Sequence, residues 1–167
     1  MPRTISSPGD SPGLSPSQYR AWVAYMRVQH RMNYEINRQL QRDSGLSLAD
    51  YHVLTALRNA PDRKLQVTEL AALIGWERSR LSHHLRRMCE RGLTERTQSE
   101  DDGRATDAAL SSKGMYAILT AAPGHAALVR KLFFEPLSEE LIGPFTAALE
   151  YIQASLNLNA SLPPVPF

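Results

Sequence analysis

The 167-residue sequence has few of the features that mark secreted, membrane-spanning and metal-binding proteins. Its single cysteine, Cys89, excludes an intramolecular disulfide and any zinc site of the CxxC type. No run approaches the roughly 18 apolar residues of a membrane span, and no apolar segment follows Arg3 as it would in a signal peptide. We therefore expect a cytoplasmic protein with no membrane association.

Catalytic signatures are also missing from the sequence. There is no glycine-rich phosphate loop, no GxSxG and no cluster of acids with histidine. The five histidines lack HxxxH or HExxH spacing, and Cys89 has apolar neighbours that make it a poor nucleophile. We therefore predict a protein that is not an enzyme and needs no cofactor or metal. A small helical enzyme stays open as an alternative, which a catalytic pocket or a fold without a wing would favour.

Net charge is only +2, but the basic residues are unevenly distributed. The hydrophobic fraction of 43% is enough for a packed core, so global disorder is not expected. The segment between Trp76 and Gln98 contains only three glutamates but six arginines, namely Arg78, Arg80, Arg86, Arg87, Arg91 and Arg96. This local excess predicts one surface that meets an anionic partner.

The two ends of the chain differ in composition from its middle. Serine, proline and glycine recur in residues 1–16, and prolines recur in 161–167, so we predict disordered or flexible tails. Residues 17–44 contain neither proline nor glycine and carry two apolar stripes at helical spacing. Two stripes on one helix of about 40 Å indicate two burial surfaces, one in its own domain and one on another subunit.

Capping and turn residues divide the remainder into short elements. Gly45 is a plausible C-cap, and Ser47, Thr68 and Ser111 (or Ser112) are plausible N-caps. The predicted elements are a helix to Asn59, a strand over 64–67, a helix over 69–74, a helix ending at Arg91, strands over 93–98 and 104–110, and C-terminal helices. Pro123-Gly124 predicts an interruption and kink in the helix that follows residue 111, and Gly143-Pro144 predicts a break before the last helix.

Two short helices joined at Gly75 form the central pattern, which is typical of a helix-turn-helix. At about 100° per residue, Leu81, Leu85 and Met88 lie on one face of the second helix. The other face carries donors and cations suited to base edges and phosphates, namely Ser79, His83, Arg86 and Arg87, with Arg80 and Ser82 on its flanks. Such arginines can also be no more than solvated charge.

A polar turn over residues 99–103 lies between the two predicted strands, and its Asp-Gly pair favours a hairpin. Arg104 at the end of this loop suits the narrow minor groove of DNA. Asp102 is placed to accept a hydrogen bond from Arg104 and so fix its direction.

These residues together resemble the MarR (multiple antibiotic resistance regulator) family. The resemblance is carried by VTELA at 67–71, SRLSHHLRRM at 79–88, RGL at 91–93, Asp102-Gly103-Arg104 and LSSKG at 110–114. Ser111 replaces the usual threonine of the last motif, and Asp107 places an acid in the returning strand. The similarity covers roughly residues 17–157.

The resemblance implies a mainly α winged helix-turn-helix with a small β-hairpin wing and long N- and C-terminal dimerisation helices. It divides the chain into a tail (1–16), a dimerisation region (17–44 and 111–160), a DNA-binding region (45–110) and a second tail (161–167). It also implies a homodimer that regulates transcription by binding a pseudo-palindromic operator on double-stranded DNA, with repression the favoured mode. A small phenolic or lipophilic ligand is expected to release this dimer from DNA. A ligand-independent architectural DNA binder is the alternative.

The DNA contacts are predicted from the patch, the helix face and the resemblance. Thr68 is expected to contact a phosphate through the helix that it caps, and Arg104 to enter the minor groove. The full predicted set is Thr68, Arg78, Ser79, Arg80, Ser82, His83, Arg86, Arg87, Arg96, Asp102 and Arg104.

Two further predictions concern small molecules. Five aromatic side chains could line a pocket for a small aromatic effector, or could be ordinary core: Trp22, Tyr25, Tyr34, Tyr51 and Tyr116. Cys89 lies at the edge of the buried stripe, which favours a core cysteine over a redox sensor.

Overall fold

The computed structural model describes residues 13–98 and 106–164. Within these residues the helices are α1 (Pro16–Ser44), α2 (Leu48–Asn59), α3 (Val67–Leu73), α4 (Arg78–Glu90), α5 (Ser112–Val129) and α6 (Glu139–Asn159). The strands are β1 (Lys64–Gln66), β2 (Thr94–Gln98) and β3 (Thr106–Leu110). This order confirms the predicted winged helix-turn-helix between long terminal helices.

Local capping chemistry defines both ends of α1. Ser15 and Gln18 form a reciprocal capping box, and the chain leaves the helix at Gly45, whose φ of 66° is left-handed. Pro16 is the first helical residue, because its fixed φ and missing N–H suit that position. Helix α1 therefore includes the last residue of the predicted N-terminal tail, and the extent of that tail stays a prediction.

The three strands form an antiparallel sheet in the order β1-β3-β2. Lys64 pairs with Ala109 in one ladder, and Thr94 pairs with Leu110 in the other. The strand before α3 is therefore joined to the wing through β3. Residues 99–105, which connect β2 to β3, lie outside the described part of the chain.

The hydrophobic core lies where α2, α3 and α4 meet the sheet and the ends of α1 and α5. It is built mainly of aliphatic side chains with little or no solvent exposure, including Leu40, Leu46, Val53, Leu54, Leu57, Leu70, Leu81, Leu85, Met88 and Ile118. This arrangement holds α4 at the surface with its apolar face inward.

Two predicted helix breaks are wrong. Helix α5 continues through Pro123, and the departure from α geometry comes later, at the π-helical segment Arg130–Phe134. Gly124 lies so close to α1 that an added Cβ would come within 2.7 Å of Gln39 Nε2, so the packing of the two helices supports α5 there. Pro144 likewise lies inside a continuous α6.

Candidate nucleic-acid interface

Helices α3 and α4 are joined by a tight turn over residues 74–77. Gly75 adopts a φ of 69°, which favours glycine, and the Trp76 N–H donates to the Ala71 carbonyl at 2.8 Å. Trp76 packs against the core from this turn. The turn therefore fixes the start of α4 relative to α3, as a helix-turn-helix requires.

Helix α4 buries one face and exposes the other. Leu81, Leu85 and Met88 are fully buried, as the spacing predicts. The opposite side has exposed residues at Arg78, Ser79, Arg80, His83, Arg86 and Arg87, with Ser82 half-buried. The structure thus brings the predicted α4 residues onto one solvent-facing surface, and their role as DNA contacts stays a prediction.

The flank of α4 that faces α2 carries a polar stripe, which we call the arginine flank: Arg80, His84, Arg87 and Arg91. Its spacing of four, three and four residues places all of them on one side of a helix. Asp50 of α2 lies beneath the stripe and is only 2% exposed. Burial of a carboxylate is unfavourable unless charged or hydrogen-bonding partners surround it.

Asp50 has such partners on both of its oxygens. Oδ2 accepts from Arg91 Nη1 at 2.7 Å and from the Ser47 N–H at 2.9 Å. Oδ1 lies 3.0 Å from His84 Nε2. Arg91 Nη2 also donates to the Gly45 carbonyl at 3.0 Å. One acid therefore ties α4 to α2 at points two turns apart.

These contacts set the ionisation of Asp50. Burial by itself raises the pKa of this carboxyl, but the contacts with His84, Arg91 and Ser47 outweigh burial and hold the pKa well below its usual range. Asp50 is therefore a buried anion at neutral pH, which favours cationic side chains around it.

Two arginines of the flank contact neighbouring aromatic rings. The Arg80 guanidinium carbon lies 4.1 Å from the centre of the Trp76 ring, a cation–π contact. Arg87 Nη2 lies 3.2 Å from His84 Nδ1. Trp76 in turn meets His84 edge-on, with ring centres 5.4 Å apart. Tryptophan, histidine and aspartate thus form a continuous support beneath the arginines.

A cleft of about 620 Å³ opens between this flank and the junction of α1 with α2. Three arginines and one aspartate are the formally charged residues that line it, so the cleft has an excess of positive charge. The cleft is therefore suited to a negatively charged group.

The wing is described only in part. Arg96 is exposed on β2, where its Cα partner is Ala108 of β3. Asp102 and Arg104 lie outside the described residues, so their predicted contact stays a prediction.

Thr68 does not cap α3, contrary to the prediction. The helix begins one residue earlier, at Val67, and its N-cap is Gln66, which makes no side-chain capping bond. The preceding β1 strand pairs through Gln66 and brings the chain directly into the helix. Thr68 is the second residue of α3 and is exposed there.

The five predicted effector-binding aromatic residues do not line one cavity within the chain. Trp22 and Tyr25 contact each other, with ring centres 5.5 Å apart, whereas Tyr51 packs against His125 at 4.7 Å. Tyr51 and Tyr116 line separate cavities of about 1,090 and 350 Å³. Tyr34 lies exposed on α1. The spacing of these residues along the chain therefore does not gather them within one subunit.

Sequence reasoning missed three residues of this site: Asp50, Trp76 and His84. No local pattern indicates the contact of Asp50, because its partner Arg91 lies 41 positions away. The regular spacing of the arginine flank was the available signal, since it separates one side of α4 from the face centred on Ser79 and His83.

The described residues contain neither a candidate metal site nor a candidate membrane-spanning helix. No group of three or more His, Cys, Asp and Glu side chains there is placed to hold a metal ion. None of the described helices combines the length and apolarity needed to cross a membrane.

Comparison with known proteins gives consistent matches. A family model described as MarR family matches residues 44–105. Sco3205, a MarR family transcriptional regulator from Streptomyces coelicolor solved in complex with DNA, is 31% identical with a TM-score of 0.82, over 90% of this chain and 97% of that chain. No curated protein sequence matches.

Two other solved structures are similar along most of their length. AbsC, a MarR family transcriptional regulator from Streptomyces coelicolor, is 28% identical with a TM-score of 0.80, over 88% of this chain and 99% of that chain. The organohalide-sensing regulator RdhR, in its 2,4-dichlorophenol-bound form, is 19% identical with a TM-score of 0.77, over 100% of this chain and 99% of that chain. The likeness to RdhR shows a shared fold.

Proposed function

Because the chain belongs to the MarR family of transcriptional regulators, we propose that it represses transcription as a homodimer bound to a pseudo-palindromic operator. The single observation that carries this proposal is the surface of α4, whose leucines and methionine are buried while its arginines, Ser79 and His83 face solvent. An α-helix so presented fits the major groove. The family consists of regulators, in agreement with the prediction that the chain is not an enzyme.

The exposed apolar surface of α6 supports the dimer. None of the 21 described residues of α6 is buried, yet its side chains include Leu141, Phe145, Leu149, Ile152 and Leu156. The N-terminal half of α1 also exposes Trp22, Tyr25 and Val28. Large contiguous apolar surfaces of this kind mark association sites. A second copy that covers both helices would place two α4 helices about a two-fold axis.

Dimerisation also matches the demands of sequence recognition. One recognition helix reads only a few base pairs, whereas a two-fold pair reads half-sites about one helical turn apart. Several arginines displace condensed counterions, so the affinity for DNA falls steeply with salt.

Release by a small phenolic or lipophilic effector completes the proposed mechanism. RdhR, which shares the fold, has been solved with 2,4-dichlorophenol. A ligand that fits only one spacing of the two recognition helices shifts the population away from the DNA-binding form. Calorimetric titration with phenols, followed by operator release, tests this step, and no binding together with no release would contradict it.

Selection of bound DNA from a random library tests the central proposal. We expect a dyad with half-sites about 10 base pairs apart. A selected site that competes no better than random duplex would instead assign an architectural role. On the selected site, Arg104→Ala is expected to weaken binding by about 1–3 kcal/mol at fixed salt. Arg130→Ala, a charge-matched change outside the winged helix, is the control and is expected to bind as the unchanged protein does.

A further inference from the structure

The arginine flank of α4 lies to one side of the outward face of the helix, which is centred on Ser79 and His83. We infer that the cleft beside this flank grips a backbone phosphate of the DNA, and that Arg80 and Arg87 are the cations that do so. The inference rests on the proposed function and assigns a distinct role to two of its arginines. Ser79, His83 and Arg86 are left to read base edges.

The dimensions of helix and groove separate the two roles. A helix with its side chains is about 10–12 Å across, and the major groove is about 12 Å wide. Residues on the outward face of such a helix reach the floor of the groove, where base edges lie. Residues on its flanks meet the walls, which are sugar and phosphate. Arg80 and Arg87 lie on one flank, two turns apart.

Arg80 is held for this contact by Trp76. Its guanidinium lies 4.1 Å from the ring centre, so one face of the cation is covered by the indole. The donors at the edge of the planar guanidinium remain available, and this geometry suits phosphate oxygens. Stacking also restricts a flexible side chain before DNA arrives, which reduces the entropy lost on binding.

Arg87 is held by the buried acid through a histidine. His84 is 8% exposed, and its two ring nitrogens lie 3.0 Å from Asp50 Oδ1 and 3.2 Å from Arg87 Nη2. The ring is therefore fixed between a buried anion and a surface cation. Arg87 retains further N–H donors and lines the cleft.

Arg91 lines the same cleft but has a different task. Its two terminal nitrogens are occupied by Asp50 Oδ2 and by the Gly45 carbonyl, at 2.7 and 3.0 Å. The Asp50 carboxylate balances its charge. The excess positive charge of the cleft therefore belongs to Arg80 and Arg87.

The inference predicts how these arginines respond to salt and to DNA sequence. We measure binding of the dimeric protein to the selected site and to a scrambled duplex over a range of salt concentrations. Arg80→Ala and Arg87→Ala are each expected to weaken both complexes by the same factor. Each is also expected to reduce the slope of log affinity against log salt by about 1. Arg86→Ala is the matched change on the outward face and is expected to weaken the selected site more than the scrambled one.

The role of Trp76 is tested by a double-mutant cycle. Trp76→Leu is expected to weaken binding, and in the Arg80→Ala background the same change is expected to weaken it less, because the part of its effect that acts through Arg80 is already lost. Trp76→Phe keeps an aromatic face and is expected to restore binding. Thermal unfolding of each variant identifies loss of fold. Full additivity of the two changes would overturn the positioning role of Trp76.

The remaining outcomes separate the inference from the proposed function. If Arg80→Ala or Arg87→Ala changes the preferred base at one position and leaves the scrambled duplex unaffected, that arginine reads bases and the inference is wrong, while DNA binding stands. If the unchanged protein binds no duplex, the proposed function itself fails. If Arg80→Ala and Arg87→Ala leave the affinity for both duplexes and the salt slope unchanged but weaken the binding of inorganic phosphate, the cleft holds a free anion and the assignment to the DNA backbone is wrong.

Discussion

Asp50 is a buried charge that joins α2 to both the middle and the end of α4. Removing one partner of a buried ion pair leaves the others uncompensated. We expect Asp50→Asn to lower the free energy of unfolding by about 3 kcal/mol, the lower end of the range for such pairs, because Arg91 is partly in contact with water. Urea denaturation at pH 7 measures this change, and a loss below 1 kcal/mol would contradict it.

The ionisation of Asp50 also predicts an acid limb in stability. The pKa of this carboxyl is lower in the folded protein than in the unfolded chain. Its contribution is therefore complete above the unfolded value of about 3.9 and is lost as the pH falls towards the folded pKa. Asp50→Asn is expected to flatten the fall in unfolding free energy below pH 4. An acid limb as steep as that of the unchanged protein would show that other carboxylates cause it.

His125 predicts a second pH dependence in a separate range. Burial lowers the pKa of His125 and, together with the nearby charge of His125, that of His52. His125 Nδ1 is buried without a hydrogen-bond partner, and the ring packs on Tyr51. A lowered folded pKa means that stability is present above the unfolded value of about 6.5 and is lost as the pH falls through the folded pKa.

We therefore expect the melting temperature to fall between pH 7 and pH 5, and His125→Gln to reduce that fall. His83→Gln changes an exposed histidine of α4 and serves as the control. Differential scanning calorimetry across this range measures both. An identical pH profile in His125→Gln and the unchanged protein would contradict the prediction.

For single residues, the sequence predicted which side chains are buried better than it predicted which polar groups are in contact. The spacing of Leu81, Leu85 and Met88 located the inner face of α4, because periodicity in one helix reports which side is apolar. The contacts of Asp50 and His84 depend on how α2 meets α4, which no local pattern contains. Thr68 was misassigned as a cap because the strand preceding it runs directly into the helix.

At the scale of elements, Gly114 controls how α5 meets the wing. A Cβ there would overlap the backbone carbonyl oxygen of Leu93 and crowd Leu54 and Leu110. We expect Gly114→Ala to destabilise the fold by about 1–3 kcal/mol. Gly143 of α6 has open space around its Cβ position, so Gly143→Ala is expected to stabilise by about 0.5–1 kcal/mol. Chemical denaturation of the two variants compares them, and equal effects would contradict the packing argument.

Helix starts were predictable where a side chain makes the cap. Ser47 accepts from the Asp50 N–H, and Ser111 accepts from the Gly114 N–H, at 3.0 and 2.9 Å. The predicted breaks at proline failed for a different reason. Pro144 is the sixth residue of α6, shortly after the first four N–H groups, which lack intrahelical partners in any helix. The missing N–H of the proline removes a single bond, near the start of the helix. The rest of the helix outweighs that loss.

At the scale of the whole molecule, the proposed dimer predicts a difference between two equally exposed leucines. Leu149 lies on α6 and Leu73 on α3, and each is 38% exposed. We expect Leu149→Asp to convert the dimer to monomer in sedimentation experiments and to weaken operator binding at least tenfold. Leu73→Asp is expected to leave the dimer intact. A Leu149→Asp protein that sediments as a dimer would contradict the proposed interface.

The overall architecture was predictable because the order of helices, turn and hairpin restricts the possible folds, and the motif residues point to one of them. The cleft beside α4 was not predictable, since it forms where Gly45 and Asp50 meet Trp76 and Arg80. Nor could spacing show that the predicted aromatic residues lie apart. Both depend on the relative placement of helices that are distant in sequence.

The lack of burial along α6 has a consequence for how the protein assembles. An isolated helix gains little from its own hydrogen bonds in water, so in the proposed dimer α6 depends on the second copy for most of its stability. Its ordering is then bimolecular, and refolding is expected to include a phase whose rate rises with protein concentration. Below the concentration at which half the chains are paired, the amount of dimer rises with the square of the amount of chain. A modest change in synthesis would then produce a larger change in operator occupancy.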